Sequence, residues 1–283
     1  MLTQSPMENS TSWPLALEGM GVAGRAREGA ALASPHWTVA AKISRRPEAC
    51  TMSLERALSD PMIRAWAVSL ENAAHAPAVR RALEAEKHVL CDYPLALSAG
   101  EARELFELAK KKQRILHVEH IGLLSAEHRQ LKEQAEAMGE LKQGEYLFQG
   151  GYKDSMADLS KNGPLPFLAL SRLLQVADLF GTLQLEDYRF NTTPPGFSLH
   201  LHLRTAGGGK LGFTEERRPG LPRRRSLSAT GSQGALQWKA GVGGGGLFAQ
   251  DLEWFRRRIS GQRDCYYDEA RMLDLIAMLE SIS

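Results

Sequence analysis

Cysteine is scarce in this chain: Cys50, Cys91 and Cys265 lie far apart in 283 residues. They form no CxxC pair and no Cys/His spacing of a zinc site. A disulfide scaffold is thereby excluded, no metal is expected, and a reduced, cytoplasmic setting is favoured. Long apolar runs are also missing. None approaches the ~20 residues of a membrane helix, so no membrane association is expected. The first dozen residues are polar and lack the core of a secretory signal, so 1–12 reads as a disordered tail. Charge of one sign is not in excess. Lys and Arg number 35 against 33 Asp and Glu, and so near a balance argues against a nucleic-acid partner. A monomer is expected.

What is present is ordinary globular composition with length enough for two domains. Gly19-Met20-Gly21-Val22-Ala23-Gly24 has GxGxxG spacing. In a dinucleotide-binding turn, Gly19, Gly21 and Gly24 would make the bend, admit a pyrophosphate and let helix pack on strand. About 20 residues on, where NAD-binding units carry an acid for the ribose 2′-hydroxyl, stand Ser44, Arg45 and Arg46. Guanidiniums suit a 2′-phosphate, so the cofactor indicated is NADPH, with NADH weaker. The bland alternative is a glycine-containing loop. The preceding strand, Trp13 to Glu18, is short, holds Pro14 and sets a carboxylate beside the glycines.

The first half alternates strand and helix. Strands are expected at 37–43, 65–69, 87–91 and 115–120. Helices are expected at 25–32, at 53–59 with Ser53 as cap, and at 77–85 with Pro77 in the first turn. A further helix at 101–112 opens on a Ser98-to-Glu101 capping box. Another runs from Ser125 to Met138, closed by Gly139. Such alternation implies βαβ units and a parallel sheet. The second half has strands at 144–149, 184–190 and 197–203, with weaker ones at 225–229 and 235–239. Helices are expected at 166–180, 247–259 and 269–280, and loops at 194–196, 206–209 and 241–246. The fold class is therefore α/β with α+β: a Rossmann domain over 13–124, then a mostly antiparallel sheet domain with helices on one face over 125–283.

Several residues could carry chemistry. Asp92 and Tyr93 end a strand of the parallel sheet, where open α/β sheets bind ligands; Asp92 is a candidate cofactor contact. A plain strand-to-helix connection is the alternative. His117 and His120 flank Glu119, but i and i+3 on a strand face opposite ways, which argues for a polar cluster rather than a metal site. Arg172 lies on an apolar helix, where a cation needs either an ion-pair partner, Asp178 or Glu186, or an electron-rich ligand. Arg217, Arg218 and Arg223 to Arg225 form either a solvated run or a dock for carboxylates. Arg223 to Ser226 also fits a basophilic kinase site.

Taken together, Gly19 to Arg25, Ile43 to Arg46, KHVLCDYPLALS from Lys87, Leu116 to Leu124, PFLALSRLLQVADLFGTL from Pro166 and PGLPRRRSL from Pro219 resemble one family. It is biliverdin reductase of the vertebrate A type, within a wider group of Rossmann-plus-sheet oxidoreductases. The resemblance runs from about residue 15 to the end. Sugar oxidoreductases of that group usually have a catalytic Lys at the place of Tyr93. Asp92 stands where the family has Glu, Val118 replaces an acid, and Tyr152 to Asn162 matches poorly. The resemblance implies NADPH-dependent reduction of biliverdin to bilirubin, with hydride going to the central methine carbon. It implies that Ser44, Arg45 and Arg46 take the 2′-phosphate and that Tyr93 and Glu119 lie beside nicotinamide and pigment. Arg172 becomes the candidate proton donor or charge stabiliser. Arg223 and Arg225 would take the propionates, with His120 a further substrate contact. An inactive pigment- or partner-binding relative and a sugar or polyol dehydrogenase are the rival expectations; whether Trp13 to Gly21 forms strand and turn separates enzyme from inactive relative.

Overall fold

A computed structural model describes residues 12–240 and 245–282. The tail expected over 1–12 lies outside these except for Ser12, as do residues 241–244 of the last expected loop.

The N-terminal unit runs β1 (Trp13–Glu18), α1 (Val22–Leu32), β2 (Trp37–Ile43), α2 (Leu54–Ser59), β3 (Ala65–Val68), α3 (Asn72–Glu84), β4 (His88–Cys91), α4 (Ala99–Lys112) and β5 (Leu116–Val118). Its five strands are all parallel, in the order β2-β1-β3-β4-β5. The doubtful first strand is therefore well inside the sheet. Pro14 is tolerated because pairing with β3 starts only at Leu15, so its missing N–H falls at the strand's opening. Side chains alternate between faces. Leu15, Leu17, Ala65, Ala67 and Leu90 pack in one cluster with Trp37, Leu252 and Phe255. Ala16, Trp66, Val68, Val89 and Cys91 face the other core, with Ala78, Ala82 and Ala102.

The chain continues through α5 (Ala126–Met138), β6 (Leu141–Gly151), α6 (Leu159–Asn162), α7 (Leu170–Phe180), β7 (Leu183–Thr192), β8 (Phe197–Thr205), β9 (Lys210–Arg218), β10 (Arg224–Gly231), β11 (Ala235–Lys239), α8 (Leu247–Ile259) and α9 (Glu269–Ile282). The second sheet has the order β11-β10-β6-β9-β8-β7. It is antiparallel except for the β6–β9 pair. Residue 124 falls between the last strand of the first sheet and the first strand of the second, and the helices that follow the second sheet return to the first. Phe255 of α8 stacks on Trp37, with ring centroids 5.7 Å apart. From α9, Met272 touches His120 and Glu280 reaches α4.

Local signals held in several places and were overridden in others. Ser53 and Ser125 cap their helices, accepting the amides of Arg56 and His128. Gly139 closes α5 at φ +75°. Ser98 stands at the N-cap of α4 but makes no side-chain cap; the expected capping box is replaced by Glu280, whose Oε2 accepts the Ala99 amide at 3.0 Å. Pro77 is inside α3 rather than in its first turn, because the helix starts five residues earlier. Both Pro77 and Ala73, whose carbonyl loses its i+4 donor, are exposed, so water can serve that carbonyl. Strand β9 is absent from the sequence reading, although Leu211, Phe213 and Glu215 alternate inward.

Candidate active site

The Gly-rich segment is a tight turn from β1 into α1. A Cβ on Gly19 would stand 2.1 Å from the Ser69 carbonyl oxygen, and one on Gly24 would stand 1.8 Å from that of Gly19. Those two glycines are required by packing. A Cβ on Gly21 would meet nothing within 4 Å, so that edge of the turn is open. Gly21 offers no side chain to cap α1, and no acid lies in the helix's first turn. The first amides thus remain available to an anion. Glu18 does not oppose it. Its carboxylate is buried and turned away, accepting from Trp66 Nε1 at 2.8 Å and Arg81 Nη2 at 3.0 Å.

This turn walls a cavity of about 980 Å³ that also meets Ser44, Arg45, Arg46, Glu71 and Asp92. The Arg46 guanidinium donates to the Met20 carbonyl within the turn, and Arg45 pairs with Glu71. An open glycine edge, uncapped helix amides and two guanidiniums on the cavity wall fit a dinucleotide with a 2′-phosphate.

A second cavity, about 910 Å³, shares Ala23, Leu70 and Asp92 with the first. Tyr93, Glu119, Ser171, Arg172, Arg223 and Arg225 are on its wall. Arg172 is nearly buried. Its Nε and Nη2 each donate to a Glu215 carboxylate oxygen at 2.8 Å, and Nη2 also donates to the Leu168 carbonyl. Neither expected partner is used: Asp178 binds His128 and Lys132, while Glu186 binds Arg204. Arg217 also reaches Glu215 at 2.8 Å, and both guanidiniums lie over the Phe148 ring, at 4.3 and 4.5 Å. Burial works against the Arg172 charge, but the Glu215 carboxylate outweighs it and holds its pKa above the usual arginine value. The side chain is thereby held as a cation on the cavity wall.

Glu119 is the titrating group. Burial, reinforced by Asp92 and Asp251, pushes its pKa up to about 8. Its Oε1 accepts the Ile121 amide at 2.7 Å. Asp251, fully buried on α8, takes the opposite course. It accepts from Arg27 Nη1 at 2.9 Å, His117 Nε2 at 2.9 Å and Tyr266 Oη at 2.7 Å. Against the burial that opposes its charge, these donors hold its carboxyl well below the usual carboxylate range. Burial lowers the His117 pKa. A neutral ring that donates from Nε2 leaves Nδ1 as acceptor, and Arg258 Nη1 sits 3.3 Å from it. Arg27, 0% exposed on α1, joins Asp251 to Asp92, which lies 2.6 Å from its Nη2.

Of the residues singled out in the sequence, Gly19, Gly21, Ser44, Arg45, Arg46 and Asp92 meet at the first cavity, with Gly24 packed behind the turn. Tyr93, Glu119, Arg172, Arg223 and Arg225 meet at the second. His120 does not reach the wall. It is buried, stacks behind Tyr93 at 5.8 Å, and puts Nε2 3.1 Å from Met272 Sδ. Its expected substrate contact becomes support for Tyr93. Among the described residues, no group of His, Cys, Asp and Glu is arranged to hold a metal ion. Arg225 is already paired with Glu127 at 2.9 Å and lies over Trp238. Arg223 instead has its pKa lowered, first by burial and then by Arg225, Arg172 and Arg217. Sequence reasoning missed Arg129 and Phe248 on the wall, and Arg27, Asp251 and Glu215 behind it. Only Glu215 had a readable signal, the alternation of β9.

The match to known proteins follows this geometry. Residues 16–120 match an oxidoreductase family described by its NAD-binding Rossmann fold. Biliverdin reductase A of Mus musculus is 32% identical over 239 residues, covering 82% of this chain and 79% of that protein. The Homo sapiens protein of that name is 32% identical over 237 residues, covering 82% and 78%. A Synechocystis biliverdin reductase, solved with biliverdin and NADP+, superposes with a TM-score of 0.80 at 24% identity, over 93% of this chain and 95% of that one. Identity at this level over 82% of the chain makes it a member of the biliverdin reductase A family of NAD(P)H-dependent oxidoreductases.

Proposed function

We propose that the chain reduces biliverdin to bilirubin with NADPH. The observation that carries this reading is the meeting of two cavities at Asp92, with Tyr93, Glu119 and Arg172 around the junction. When bound, NADPH would supply a hydride for the central methine carbon of the pigment, and a pyrrole nitrogen would gain a proton. Arg45 and Arg46 hold the 2′-phosphate, Ser44 lines that pocket, and the first amides of α1 receive the pyrophosphate. Tyr93, backed by His120, forms the wall beside the reacting carbon. Arg172, fixed by Glu215, stabilises negative charge that develops on the pigment. Burial raises the Glu119 pKa and favours its protonated form. Glu119 can give its proton and regain one from solvent. Arg223 faces the pigment's carboxylates, with Arg225 behind it.

Incubating purified protein with biliverdin and NADPH tests this. Absorbance is expected to fall in the red and rise in the blue at a rate proportional to enzyme. An unchanged spectrum with protein that binds NADP+ would overturn the reading.

A further inference from the structure

Arg45 has a partner already. Its guanidinium pairs with Glu71, which lies on the wall of the cofactor cavity at the mouth of α3. The Arg45 side chain is 80% exposed and that of Glu71 35%, so this pair is held in water and exchanges readily. A second cation approaches from the other sheet's side. Lys161 sits on α6, between β6 and α7, and its charge acts on both Glu71 and Arg45. Its own partner is Asp158, three residues earlier on an exposed edge. The α6 segment is tied beside Glu71 by the next residue: Asn72 Nδ2 donates to the Asn162 carbonyl at 2.8 Å.

We infer that Glu71 is the group a cofactor 2′-phosphate must displace from Arg45, and that Lys161 receives the displaced carboxylate. A 2′-phosphate carries roughly −1.5 to −2 charge and repels an ionised carboxylate held on the same guanidinium. A 2′-hydroxyl has no such conflict and can donate to that carboxylate. Glu71 therefore works against NADPH, and Lys161 relieves the conflict by giving Glu71 somewhere to turn. Cofactor choice is then set jointly by Arg45 and Arg46 on the first domain and Lys161 on a segment leading into α7. This rests on Arg45 meeting the 2′-phosphate.

Calorimetric titration of NADP+ and NAD+, without pigment, tests it on wild type, Lys161→Ala, Glu71→Gln and the double variant. Lys161→Ala is expected to weaken NADP+ by about two- to fivefold, the range of an exposed ion pair, with NAD+ unmoved. Glu71→Gln should tighten NADP+ by a similar factor. In the Glu71→Gln background Lys161→Ala should have no further effect, the mark of coupled residues. Additive effects, or equal shifts for both nucleotides, would overturn the exchange. Arg45→Ala with Arg46→Ala separates the premise: equal loss of both nucleotides there would remove the 2′-phosphate assignment itself. Selective loss there, with Lys161→Ala silent, would remove only the exchange. Neither result bears on whether biliverdin is the substrate.

Discussion

Glu215 holds Arg172 in a two-pronged grip, both hydrogen bonds 2.8 Å, across a separation of 43 residues. The carboxylate is fully buried and shared with Arg217. The cation is thus aimed by a strand of the second sheet, not by its own helix. Arg172→Ala should lower kcat for biliverdin about 100-fold, within the range seen when a fixed charge-stabilising donor is removed. Pigment KM should change little. Arg172→Lys should rescue little, since a point charge cannot replace the planar fork. Glu215→Gln should cut kcat with the cation still present. Steady-state kinetics and thermal melting on one preparation decide. Normal turnover in a less stable Arg172→Ala would make the residue a structural ion-pair partner only.

Replacing Arg45 and Arg46 together with Ala should weaken NADPH far more than NADH. Each charge-assisted bond is worth roughly 1.5–3 kcal/mol, so the selectivity should fall by at least about tenfold. Nucleotide titrations give the two constants directly.

Glu119 predicts a pH dependence with a definite sign. Its folded pKa, about 8, lies above its ordinary value of 4.5. The stabilising contribution of the neutral form is complete below the ordinary value and is lost as pH rises through about 8. Over that window the slope approaches about 1.4 kcal/mol per pH unit at most. Melting temperature should decline from about pH 5 to about pH 8 and level off above that, and activity should drop as pH passes about 8. Glu119→Gln should flatten the stability slope. A variant as pH-sensitive as wild type would assign the limb to another group.

The two arginines Arg223 and Arg225 on the wall of the second cavity should separate. Arg223→Ala should raise the Michaelis constant for biliverdin and leave that for NADPH alone. Arg225→Ala should chiefly lower the melting temperature, because it removes the ion pair with Glu127 at 2.9 Å and the packing of the guanidinium over Trp238. A biliverdin diester should be indifferent to Arg223→Ala. Equal responses of ester and free acid would return Arg223 to solvated surface.

The nucleotide half of the fold was legible because its signals are local. Glycine spacing and Ser53 act within a few residues of themselves, as do Ser125 and Gly139 just beyond it, and the structure keeps them. What escaped depends on distant partners. Glu18 looked unfavourable only while Trp66 and Arg81 were out of view. The Ser98 box gave way to a carboxylate 181 residues downstream. Strand β9 was hidden behind Gly207 to Gly209 and the basic run, so the true partner of Arg172 could not be named. Asp251 carries no motif at all; its importance comes from the three donors that converge on it in a buried site.

The contact between Glu280 and the Ala99 amide bears on how this polypeptide is made. The start of a helix in the nucleotide-binding half is completed by the last turn of the final helix. On a ribosome, that half leaves the exit tunnel with α4 still lacking its cap and with Arg27 still lacking Asp251. It reaches its finished state only after Asp251 and Glu280 have emerged. A gene cut after the first sheet should therefore yield a fragment that folds poorly.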